Sequence, residues 1–135
     1  MECFKLSEIN VPQIYNNPRK SILAVDNALM FLNSMKKILA NSPYKLSCET
    51  SAQGALALLD TNFYDLILLD VEMPEMDGYE LTGRIKQRGI KTPILIISAN
   101  TGKEDIEKAE KAGAAGFLPK PFRPKQLIEK IKEFI

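Results

Sequence analysis

Three polar residues follow short apolar runs. Asp70 ends Leu66-Ile67-Leu68-Leu69 and leads into Val71-Glu72-Met73-Pro74 and then Asp77-Gly78. Asp26 ends Ile22-Leu23-Ala24-Val25, and Lys120 comes after Phe117-Leu118. A short apolar run bounded by turn signals reads as a buried strand. Open α/β sheets bind ligands outside the carboxyl ends of their strands. Two acids and a lysine at three such tips point to one site that handles a cation and a phosphoryl group. The chain has no histidine. That removes Ser-His and Cys-His nucleophilic catalysis and histidine metal ligation. Any phosphohistidine involved must belong to a partner.

The residue types suit that chemistry. A carboxylate is already ionised near neutral pH, so as a nucleophile it needs no base. Phosphoryl transfer depends on positioning and charge neutralisation more than on covalent machinery. Mg²⁺ takes oxygen ligands and keeps several waters, which carboxylates, an amide oxygen and a carbonyl provide.

The elements that must position these groups alternate along the chain. Strands are expected at Ile22–Val25, around Leu46 and Cys48 (an edge strand by its alternation with Lys45, Ser47 and Glu49), at Leu66–Leu69, at Ile94–Ile97 after Pro93, and at Gly116–Leu118. Between them lie helical patterns. The first carries Phe31, Met35 and Leu39 with Leu32 and Ile38. The second carries Ala52, Ala55, Leu56 and Leu59. The third runs from Tyr79 to Gln87. The fourth has a narrow stripe of Ile106, Ala109 and Ala112. The last runs from Arg123 to Ile135 with Leu127, Ile128, Ile131 and Phe134 inward. Five βα units imply a parallel sheet with helices on both faces. Residues 1–19, with Pro12, Asn16, Asn17 and Pro18, hold no sustained period and read as an extension or linker; residues 20–135 read as one domain.

At 135 residues, 45% hydrophobic and 26% charged, the chain is long enough for one domain with a real core. A net charge of +1 argues against nucleic acid or an anionic membrane as the main partner. No apolar run approaches the ~20 residues of a membrane span. Two cysteines, Cys3 and Cys48, make neither a metal spacing nor a disulfide framework. The cytoplasm is the expected compartment by default.

Taken together, Val25-Asp26-Asn27, Asp70 in Asp-Val-Glu-Met-Pro-Glu-Met-Asp-Gly, Ser98-Ala99 and Lys120-Pro121-Phe122 resemble the receiver domain of the bacterial response-regulator family from Ser21 to Ile135. The resemblance implies a flavodoxin-like sheet in the order 2-1-3-4-5. It implies that Asp70 takes a phosphoryl group from a histidine kinase or phosphotransfer protein. Asp26, Asn27 and Asp70 would hold Mg²⁺, with the Glu72 backbone carbonyl as a further ligand. Ser98 would bond one phosphoryl oxygen and Lys120 neutralise another. Ala99 leaves the group room, and Pro121 allows a cis bond after Lys120. Ser98 and Phe117 would form a switch that recasts the face of the fourth helix, fifth strand and fifth helix for a downstream protein. On this reading the chain catalyses at most its own phosphorylation and dephosphorylation.

One position departs from the pattern. The family has two acids after the first strand, and here the second is Asn27. An amide oxygen contributes no charge, and the lost attraction amounts to several kcal/mol at an effective dielectric of ~20 before solvation offsets it. Weak Mg²⁺ binding is expected, with Glu72 available to turn its side chain inward as a substitute acid. The alternative is a pseudo-receiver used only for docking.

Each residue alone also has an ordinary reading. Asn27 suits a helix N-cap, as do Ser98, Asn100 and Thr101 before the fourth helix. Asp77-Gly78 is a turn, Lys120 a solvated charge, and Phe117 core. A haloacid-dehalogenase-type phosphatase would need a second Asp where Glu72 stands. A flavin module would need a phosphate loop where Asp26-Asn27-Ala28-Leu29 would repel phosphate.

Overall fold

The computed structural model describes residues 19–135, so the expected lead-in falls almost wholly outside the described residues. Strands β1 (Lys20–Val25), β2 (Tyr44–Glu49), β3 (Leu66–Asp70), β4 (Ile94–Ser98) and β5 (Gly116–Pro119) alternate with helices α1 (Leu29–Leu39), α2 (Ala52–Thr61), α3 (Gly78–Gln87), α4 (Lys103–Ala112) and α5 (Pro124–Lys132). All pairings are parallel, in the order β2-β1-β3-β4-β5. This is the expected doubly wound, flavodoxin-like sheet.

The apolar runs are continuous because both faces of the sheet are covered. Leu23, Val25, Ile67, Leu69, Ile94 and Ile96 face one core, filled by Ala52, Ala55, Leu56 and Leu59 of α2, Leu81 and Ile85 of α3, and Ala109 of α4. Their neighbours Ile22, Ala24, Leu66, Leu68, Leu95 and Ile97 face the other, filled by Leu32, Met35 and Leu39 of α1 and Leu127 and Ile131 of α5. Register then decides the site. Val25 pairs with Leu69, Asp70 with Ile97, and Ser98 with Pro119. The residues that end β1, β3, β4 and β5 therefore emerge along one edge.

Several local expectations change. Helix α4 buries only Ala109, and Ile106 is 41% exposed. Helix α5 ends at Lys132, after which Phe134 folds back through a bond from its N–H to the Ile131 carbonyl. The N-cap of α1 is Ala28, without a side-chain cap, so Asn27 does not cap that helix. The N-cap of α4 is Gly102, whose N–H donates to the Asp105 carboxylate, rather than Ser98, Asn100 or Thr101. Asp77 does cap α3, accepting the Glu80 N–H at 2.8 Å. Gly78 beside it is required by packing. Its N–H donates to the Val71 carbonyl, and a Cβ there would collide with the Asp70 carbonyl oxygen and Val71 Cα.

Candidate functional site

Asp26 and Asp70 are the two buried carboxylates of the molecule's described part, 2% and 7% exposed. Lys120 joins them. Its Nζ donates to Asp26 Oδ2 at 3.1 Å and to Asp70 Oδ1 at 3.0 Å. Buried charges require such partners. The lysine starts 94 residues after Asp26 and arrives because the Lys120 N–H donates to the Ser98 carbonyl, tying β5 to β4. The Lys120–Pro121 peptide is cis.

The second Asp26 oxygen, Oδ1, accepts the Ala28 N–H at 2.8 Å, which fixes the carboxylate against the start of α1. The Asp26 N–H donates to the Glu49 carbonyl and anchors the same loop to β2. Burial raises the Asp70 carboxyl above its ordinary value; the Asp26 and Glu72 charges add to this, and Lys120 opposes it. Burial by itself would lower Lys120, but its bonds and charge attraction to Asp70 and Asp26 outweigh that and leave it raised. The cluster of two carboxylates and one ammonium is thus a net negative site.

Ser98 is 1% exposed and lies one step beyond Asp70 on the neighbouring strand. Its Oγ accepts the Asn100 N–H at 3.0 Å. Ala99 next to it is exposed. Asn27 is exposed beside Asp26. Glu72 does not turn inward. Its Oε2 instead accepts the Asn100 side-chain amide at 3.0 Å. Among the described residues, no group of three or more His, Cys, Asp or Glu side chains is placed to hold a metal. Two carboxylates do converge, and with an amide oxygen and a backbone carbonyl nearby in sequence this donor set fits a hard, largely hydrated cation such as Mg²⁺.

Phe117 is half-buried on β5, opposite Ile96, and packs against the core under α2, α3 and α4. It borders a groove of about 290 Å³ with Ile106, Ala109, Ala114 and Lys130. Two contacts were not legible in sequence. One is the Glu72–Asn100 bond. The other is Phe31, whose ring lies 4.0 Å from Lys120 Nζ and reads in sequence only as a core position of α1. A cleft of about 490 Å³ between Leu59–Asp65 and Ile90–Pro93 lies at the opposite ends of the strands and contains neither Asp26 nor Asp70. Among the described residues no helix is long and apolar enough to cross a membrane.

Known proteins resemble this chain in sequence and fold. Residues 22–132 match the response regulator receiver domain. The chain is 32% identical over 114 residues to the transcriptional regulatory protein TctD of Salmonella typhimurium, covering 84% of this chain and 50% of that protein. It is 36% identical over 111 residues to the nisin biosynthesis regulatory protein NisR of Lactococcus lactis, covering 82% and 48%. The chain thus spans about half the length of these curated relatives. Among solved structures, the chemotaxis protein CheY4 of Vibrio cholerae superposes with a TM-score of 0.82 at 28% identity, covering 86% of this chain and 98% of that one. Receiver domains are signalling modules rather than enzymes in the ordinary sense. By sequence and by fold, the chain belongs to the response regulator receiver domains of two-component signalling.

Proposed function

We propose that residues 20–135 form a phosphoacceptor receiver in which Asp70 takes a phosphoryl group from a partner phosphohistidine. The observation that carries this is the Lys120 ammonium shared between two buried carboxylates, 3.0 and 3.1 Å away. Relatives that are response regulators imply a kinase or phosphotransfer protein as the donor. An Asp70 oxygen attacks phosphorus, the P–N bond breaks, and the imidazole leaves with the electron pair and takes up a proton. The product is an acyl phosphate on Asp70. Lys120 offsets charge on one phosphoryl oxygen, and the Ser98 hydroxyl donates to another.

Asp26 and Asp70 would hold Mg²⁺, with the Asn27 amide oxygen and the Glu72 carbonyl as further donors. The ion supplies charge neutralisation on the transferring group. Asn27 brings no charge of its own, so the affinity is low.

Phosphorylation adds charge and acceptor oxygens at Asp70. Ser98 moves toward them and Phe117 follows into the space it leaves. The groove bordered by Ile106, Ala109 and Phe117 is reshaped for a downstream protein on the α4-β5-α5 face. Phe117 lacks a hydroxyl, so this readout is steric.

Asn27 and the outward Glu72 favour a second reading, a pseudo-receiver that docks partners without phosphoryl turnover. Incubation with acetyl phosphate and Mg²⁺, followed by intact mass measurement of wild type and Asp70→Asn, separates the two. The phosphoacceptor reading expects one phosphoryl adduct on wild type and none on the variant. A wild type without adduct beside a working control receiver supports the pseudo-receiver.

A further inference from the structure

Lys120 reaches the site across the face of an aromatic ring. Its Nζ lies 4.0 Å from the Phe31 centroid while donating to Asp26 and Asp70. The ring is itself held. Phe122 meets it edge to face, with centroids 5.8 Å apart and planes at 82°. Phe122 follows Lys120-Pro121 directly, so one short segment delivers both the ammonium and the edge that orients the ring against it. Phe31 comes from the first turn of α1, half-buried against the core under α1 and α5.

We propose that Phe31 is a positioning residue for Lys120, its π-face holding the ammonium between Asp26 and Asp70 during phosphoryl transfer. This rests on the phosphoacceptor reading above. A lysine stem is flexible, and the side chain of Lys120 is 23% exposed, so the ammonium has a route to solvent. Two of its three partners change during the reaction. Asp70 loses its carboxylate charge when it becomes an acyl phosphate, and a divalent ion draws on both Asp26 and Asp70. The ring's quadrupole does not change. It attracts the cation before and after transfer, and it excludes water from that side of Nζ.

Apolar packing alone is a different role. Phe31 also borders an apolar groove of about 470 Å³ with Met35, Ile38, Pro121 and Phe122, and leucine would serve there. Three variants separate the roles. Phe31→Leu keeps apolar bulk without a ring. Phe31→Tyr keeps the π-face. Pentafluorophenylalanine incorporated at position 31 keeps the ring's shape but not its attraction for a cation. Acetyl phosphate as donor avoids any effect on partner docking.

Wild type and Phe31→Tyr should show an upfield ring-current shift of the Lys120 ε-methylene protons by NMR, and Phe31→Leu should lose it. At saturating acetyl phosphate, the uptake rate should fall about two- to thirtyfold in the leucine and pentafluoro variants, the span of a cation–π contact from exposed to desolvated. The tyrosine variant should stay within about twofold of wild type, since its ring face is retained. If the leucine variant does not fold, the pentafluoro variant carries the comparison. A missing ring-current shift in wild type, or a pentafluoro variant as fast as wild type, overturns the proposal for Phe31 alone. A wild type that accepts no phosphoryl group from acetyl phosphate overturns the phosphoacceptor reading, and the role of Phe31 falls with it.

Discussion

The carboxylate of Glu72 accepts the side-chain amide of Asn100 at 3.0 Å, joining the loop after β3 to the loop after β4 across the mouth of the site. The two residues are 28 positions apart and both are exposed. The bond engages the acid two residues after Asp70, and on the phosphoacceptor reading it links the two loops that flank Ser98.

Asn100→Ala breaks that link without leaving a buried group unpaired. The thermal midpoint should be unchanged, since an exposed pair contributes little. The phosphoryl group on Asp70 should hydrolyse faster by a factor of about two to ten, the equivalent of one hydrogen bond that limits water at the mouth. Decay of the phosphorylated protein, followed by intact mass after removal of donor, checks this. An unchanged lifetime would mean that the bond does not shield the site.

Asn27→Asp restores a charge next to Asp26. Mg²⁺ affinity measured by calorimetry should rise by about tenfold or more, because a full charge at an effective dielectric near 20 supplies several kcal/mol before its own desolvation. An unchanged affinity would show that position 27 does not touch the ion.

Asp70→Asn tests the electrostatic cost of the site. Burial raises the Asp70 carboxyl above 3.8, so the folded protein holds that proton more tightly than the unfolded chain. The stability this contributes is present below 3.8 and is lost as pH rises through the folded value. At pH 7 without metal, the asparagine variant should therefore unfold at higher urea than wild type. The difference should close as pH falls below 3.8. A variant less stable than wild type at pH 7 would mean that the bond to Lys120 outweighs burial.

Lys120→Met leaves Asp26 and Asp70 facing each other without a counter-charge. The loss should be about 1–3 kcal/mol at neutral pH, below the 3–5 typical of breaking a fully buried pair because the lysine is partly exposed. Lys120 is raised above 10.5 in the fold, so its contribution is complete below 10.5 and lost as pH rises through its folded value. The two proteins should converge in that range. Mg²⁺ should stabilise the variant more than wild type, since it replaces the missing cation, and equal stabilisation would argue against a shared site.

The strand tips were legible because burial on both faces makes a strand read as an unbroken apolar run, and a charge at the end of such a run is conspicuous. The parallel, two-sided architecture followed from the alternation of periods, whereas the strand order rested on the resemblance to receivers. Helix α4 was less legible. Its stripe predicts Ile106 inward, but Ile106 is exposed and Ala109 is the one residue the helix buries.

Sequence by itself determined which elements form and that Asp26, Asp70 and Lys120 lie at the tips of three of them, because those features depend on neighbours a few residues apart. Tertiary structure alone decided which partner each polar group takes. Glu72 chose Asn100, Asp26 rather than Asn27 took the N–H of Ala28, the N-cap of α1, and Lys120 came to rest against Phe31. Those choices depend on distances between chain segments that only the registered sheet brings together.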